Sequence, residues 1–222
     1  MIQHKFGLYE KALPRDLALS EKLRIAKELG FDYFELSTDE SDAFQARVAS
    51  GKTGIIEIRK AIEAYDIPIM TMCLSGTRNC PIGSENPELA AKGMKLTMDA
   101  IHFSAEIGLR IIQPMAYDEY YNTRNQKTYA LFLENLAKLT QEAASCGVML
   151  ALENVDIDTM DSLEKGLVLH GSLLHRVLGD PFYACHLRKI IVKGAHLIAD
   201  YDLKLPSLGE CTLGRGQAFD GL

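Results

Sequence analysis

Apolar residues along this chain alternate between two spacings, and the alternation recurs. Stretches in which they return every three or four positions, as on a helix with one buried face, give way to short runs rich in apolar, β-branched and aromatic residues. This happens four times: EKLRIAKELG leads into FDYFELS (31–37), IIEIRKAIEAYD into IPIMTMCLS (67–75), MDAIHFSAEIG into LRIIQPMAY (109–117), and LENLAKLTQEAASCG into VMLALENVD (148–156). Leu96, Ala100, Phe103 and Ile107 form one stripe of the third helix, and Phe132, Leu136, Leu139 and Ala143 one stripe of the fourth. Gly30, Gly108 and Gly147 stand where a helix takes a left-handed residue before the chain reverses. A further strand is predicted over 6–9, so the order is β followed by repeated αβ. That order predicts parallel strands with right-handed crossovers, and the nearly continuous apolarity predicts a sheet covered on both faces.

Two α/β architectures satisfy this pattern. A doubly wound sheet usually carries a glycine-rich phosphate turn after its first strand; here the turn reads YEKALP, and no GxGxxG occurs. The expected fold is therefore α/β of the (β/α)₈ TIM-barrel type. At about 36 residues per unit, eight units need about 286 residues against the roughly 250 of a typical barrel. A chain of 222 residues is thus expected to be incomplete at its C-terminus. No linker-like stretch interrupts the chain, so a single domain over 1–222 is expected.

Composition narrows the function. With 47% hydrophobic and 24% charged residues the chain can build a full core, and its net charge of −6 promises no basic surface for nucleic acid. No apolar signal core opens the chain and no run approaches the roughly 18 apolar residues of a membrane span, so a soluble protein without membrane partners is expected. Five widely spaced cysteines without a CxxC pair argue against a disulfide framework and a thiolate zinc site, and suit a reducing cytoplasm. The six histidines show no HxH or HExxH spacing.

In a barrel, polar residues at the C-terminal ends of strands converge on the active site. That rule selects Tyr9 and Glu10, Glu35 and Ser37, Ser75 and Arg78, Gln113 and Tyr117, and Glu153 with Asn154 and Asp156. Glu153 follows the apolar run VMLAL, where a partly dry carboxylate suits a metal ligand or a base. Glu35 follows DYF in the same way, as a substrate contact or as an acceptor for loop amides. Ser75 and Arg78, in CLSGTRN, offer an anionic group backbone amides around Gly76 and a guanidinium. Tyr117, Tyr120 and Tyr121 can stack on a sugar or cap the rim.

Five motifs carry a resemblance: GLYEKALP (7–14), FDYFELSTDESD (31–42), MCLSGTRNCPIGSE (72–85), IIQPMAYDEYY (111–121) and ALENVDIDTMDSLEKGL (151–167). Together the sequence resembles the L-ribulose-5-phosphate 3-epimerases, a branch of the xylose-isomerase-like barrels, clearly over 1–168 and weakly over 169–222. The resemblance implies a small sugar-phosphate substrate and a divalent metal, Mn²⁺, Mg²⁺ or Zn²⁺. Its ligands would be a Glu after strand five, an Asp after strand six, a His after strand seven and a Glu after strand eight. It also implies two carboxylates that take and return the proton at carbon 3 while the metal stabilises the enediolate. Glu153 matches the first ligand and would double as an acid/base group. The strand-six Tyr-Pro-Asp run has no counterpart; in its place stands PFYACHLRK, which makes His186 a candidate ligand. Tyr201 falls at the ligand histidine of strand seven, with Asp200 and Asp202 beside it, and the chain ends before an eighth strand. An ion with so few protein ligands is expected to bind weakly. Tyr9, Glu35, Ser75, Arg78, Gln113 and Tyr117 would line the substrate. The competing expectations are a hexulose-6-phosphate isomerase-like enzyme, a metal-dependent repair nuclease, and a non-catalytic remnant. An open barrel edge would make the remnant a homo-oligomer.

Overall fold

Among the described residues the apolar runs form five short strands, β1 (Gly7–Tyr9), β2 (Tyr33–Thr38), β3 (Ile69–Leu74), β4 (Ile111–Pro114) and β5 (Met149–Leu150). The helices are α1 (Leu19–Glu28), α2 (Asp42–Val48), α3 (Gly51–Tyr65), α4 (Pro87–Ile107) and α5 (Gln126–Ser145). The computed structural model describes residues 5–166, 168 and 169. All strand pairs are parallel, and their order in the sheet is β1-β2-β3-β4-β5. A doubly wound sheet reverses direction at a switch point beside its first strand. Here each crossover steps the same way, which is the winding of a TIM barrel.

Alternate residues of each strand separate into two environments. Phe34 and Leu36 of β2, Met72 and Leu74 of β3 and Ile112 of β4 are wholly buried in one core with the stripes of α4 and α5. Tyr33 and Glu35, and Thr71 and Cys73, lie on the opposite face and are half-buried. The helices therefore cover one face, and the other carries the polar strand-end residues.

The expected helix ends occur. Gly30, Gly108 and Gly147 have φ of 81°, 82° and 67°. The turn after α3 uses Asp66 instead, at φ 48°, with Lys27 Nζ donating to its carbonyl at 2.7 Å and its carboxylate at 2.9 Å. α4 begins well before the predicted stretch, where Asn86 accepts from the Glu88 amide and Pro87 opens the helix. α2 was not expected. It is seven residues long and buries only Phe44 and Val48, one helical pair, which is too little to register as a period. The segment beyond 169, with the predicted break in the pattern, lies outside the described residues. Among those described, no helix is long and apolar enough to cross a membrane, and Cys73, Cys80 and Cys146 are free.

Candidate active site

Strand register brings the inner-face residues into one patch. Tyr9 pairs with Glu35, Glu35 with Thr71, Ser37 with Cys73 and Cys73 with Gln113, while Glu153 makes an isolated bridge to Met115. Tyr9 Oη donates to Ser37 Oγ at 3.3 Å, and Thr71 Oγ1 donates to Glu35 Oε2 at 2.6 Å. Burial raises the Tyr9 phenol far above its ordinary range, against a lowering hydrogen bond with Ser37, so Tyr9 is a neutral donor at physiological pH. Burial likewise raises the Cys73 thiol; Tyr9 opposes this through a hydrogen bond, while the charges of Glu153 and Glu35 add to it. Cys73 therefore stays protonated, and it senses both carboxylates of the patch. Sequence reading passed over Cys73 as one of five scattered cysteines. Its signal was parity: in IPIMTMCLS it shares a strand face with Thr71.

A second group gathers at the rim. Ser75–Arg78 forms a 3₁₀ turn directly after β3, with Ser75 buried at its base. Arg78 lies 3.7 Å from Glu40 and over the rings of Tyr120 and Tyr117, at 5.1 and 5.8 Å. Its buried Nε has no hydrogen-bond partner among the described residues. The tyrosines pack against one another, Tyr117 tilted against Tyr120 at 4.6 Å and Tyr120 edge-to-face with Tyr121 at 4.8 Å between ring centres. Tyr117 Oη donates to Asp156 at 3.4 Å, which joins the rim to the loop after Glu153. Close packing accounts for the glycine at 76, since a Cβ there would lie 2.8 Å from the Asp39 carbonyl oxygen.

Glu10 leaves the patch. Fully buried, it accepts from Lys22 Nζ at 3.1 Å, from both terminal nitrogens of Arg47 at 2.8 Å, and from the Ser37 amide at 2.9 Å. Asp118 was missed by sequence reading. It is buried and accepts from Thr128 Oγ1 at 2.6 Å and from Thr159, tying the loop after Glu153 to the first turn of α5.

With this geometry in place, sequence comparison decides the kinship: the profile of the xylose isomerase-like TIM barrels matches residues 23–174. The chain belongs to that family. This xylose isomerase-like barrel is 38% identical over 165 residues to the L-ribulose-5-phosphate 3-epimerase UlaE of Salmonella typhimurium, a match covering 74% of this chain. The chain spans 58% of the length of that relative. Among solved structures it is similar to a D-psicose 3-epimerase, with a TM-score of 0.64, 16% identity and coverage of 77% of this chain and 60% of the other. It is also similar to the 3-keto-D-glucoside 4-epimerase YcjR of E. coli, with a TM-score of 0.62, 24% identity and coverage of 77% and 65%. At these identities the structural likeness speaks for the fold.

For a divalent cation, the described part of this family member offers oxygen donors at the end of β5. Glu153 is half-buried, and the buried Oδ1 of Asn154 has no hydrogen-bond partner among the described residues. Carboxylate and amide oxygens suit a hard divalent ion. His186, Asp200, Tyr201 and Asp202 lie outside the described residues. Among those described, the cluster whose His, Cys and carboxylate ligand atoms converge is His102, Glu142 and Cys146, on the outer helices.

Proposed function

We propose that this chain is a sugar 3-epimerase acting on a pentulose 5-phosphate, interconverting L-ribulose 5-phosphate and L-xylulose 5-phosphate. The observation that carries the reading is a carboxylate at the end of β5 on the same patch as Glu35, Tyr9 and Cys73. Support also comes from the relatives, among which UlaE is a 3-epimerase of this sugar phosphate.

The chemistry follows from the substrate. The proton at carbon 3 is acidified by the neighbouring ketone; its removal gives an enediolate, and its return from the opposite face inverts the centre. Glu153 takes the proton on one face and later yields it to solvent, while water on the opposite face returns a proton to carbon 3. Tyr9, held neutral, donates to a sugar oxygen, and Glu35, already gripped by Thr71, accepts from a sugar hydroxyl. Gln113 adds an amide, and Arg78 with Ser75 receives the phosphate beneath the tyrosine rim. Glu153 and Asn154 would hold a divalent cation, Mn²⁺, Mg²⁺ or Zn²⁺, which when bound supplies Lewis-acid polarisation of the ketone.

Incubation of the protein with L-ribulose 5-phosphate and Mn²⁺ in D₂O, followed by NMR, tests the reading. Slow exchange of the carbon-3 proton is expected, reduced at least about 100-fold in Glu153→Gln. Arg78→Ala is expected to weaken binding of the phosphorylated sugar more than that of L-ribulose. Absence of exchange in the unaltered protein, or undiminished exchange in Glu153→Gln, would overturn the proposal. Equal losses for both sugars in Arg78→Ala would remove the phosphate from Arg78.

A further inference from the structure

We propose a second metal site on the outer helical layer, formed by His102 of α4 with Glu142 and Cys146 at the end of α5, and suited to Zn²⁺ or another borderline transition ion. Glu142 and Cys146 are four residues apart and so share a helix face. His102 Nε2 lies 2.7 Å from Glu142 Oε1, and the Cys146 sulfur lies 3.8 Å from the same oxygen. The ligand atoms of all three residues fall within 4.8 Å of one another. Around a tetrahedral ion with bonds of about 2.0–2.3 Å, ligand atoms stand roughly 3.2–3.8 Å apart. Small side-chain rotations therefore convert the existing hydrogen-bonded cluster into a three-ligand site with one position left for water.

Charge favours the conversion. The Cys146 thiol releases its proton to solvent, its sulfur lone pair bonds the ion, and hydration waters leave as the three ligands enter. A neutral imidazole, a carboxylate and a thiolate then balance a dication. Cys146 also caps α5, where the helix dipole presents its negative end. Arg110 Nη1 already reaches the adjacent Gly147 carbonyl, at 3.4 Å, so this helix end attracts cations; two anionic ligands offset its repulsion of the ion.

The site is separate from the barrel mouth. α5 ends at Ser145 and β5 begins at Met149, while Glu153 lies beyond the other end of that strand. The donors differ as well: sulfur and nitrogen select zinc-like ions, whereas the mouth offers oxygens to hard ones. An ion here joins α4 to α5 and stabilises the native chain by binding it alone.

Titration of the reduced protein with Co²⁺ tests this, because a thiolate ligand gives a charge-transfer absorption in the near ultraviolet that oxygen ligands do not. One equivalent is expected to produce the band, and Zn²⁺ to displace it and to raise the melting temperature. Cys146→Ser should abolish the band and the Zn²⁺-induced rise, and His102→Gln should weaken binding about 10-fold or more. Glu153→Gln and Cys73→Ser should keep both. No band in the unaltered protein, a band persisting in Cys146→Ser, or a band lost in Cys73→Ser would overturn the proposal.

Discussion

Glu10 and Glu153 both follow barrel strands, yet their surroundings give them opposite work. Burial alone would raise the Glu10 carboxyl, but the hydrogen bonds and charge of Arg47, the Ser37 amide and Lys22 hold it below its ordinary value of 4.5. Its partners sit 12, 27 and 37 residues away in sequence, so strand-end position could nominate Glu10 but not reveal that it is consumed by structure. Because the folded pKa is depressed, this contribution to stability is complete above the unfolded value and is lost as pH falls through the folded one. Glu10→Gln leaves the buried Lys22 ammonium and Arg47 without their counter-charge and is expected to cost about 3 kcal/mol. Urea denaturation at neutral pH checks this, and the same series carried below pH ~4 should show the variant losing less further stability than the parent. The inner-face residues were legible for a simpler reason: Tyr9, Glu35 and Glu153 need only the two-residue strand period to be placed together.

At the scale of elements, the pattern located the five described strands and four of the described helices, because each lies within a run of sequence long enough to show its apolar pattern. It ran past the strand ends, since ladder pairing stops while apolar sequence continues. β5 pairs only over Met149–Leu150, although the run reaches 152. Helix interiors held a subtler fact. Gly93 lies within α4, where helix propensity alone predicts that alanine would help by about 1 kcal/mol. A Cβ at that position would lie 2.0 Å from the Cys80 carbonyl oxygen, a backbone atom with no easy retreat. Gly93→Ala is therefore expected to lower stability by about 1–3 kcal/mol, seen as a reduced melting temperature. Nothing local to the helix sequence encodes that contact, because it comes from the loop after β3.

For the whole molecule, the choice between two α/β windings rested on an absent glycine motif and on unit order, and the sheet order resolves it in favour of the barrel. The same order has a consequence for how the chain acquires its shape. Each strand pairs with the strands next to it in sequence, as Gly7 does with Tyr33, Thr71 with Ile111 and Ile111 with Met149. No described pairing has to await a segment made much later, and loop-closure entropy per step stays nearly constant. A nascent chain emerging from the ribosome can add one strand and helix at a time to a growing edge, as repeat proteins do. Stalled chains released after each successive unit should resist protease in increments; a single jump in resistance only after β5 has emerged would show that the units fold together instead.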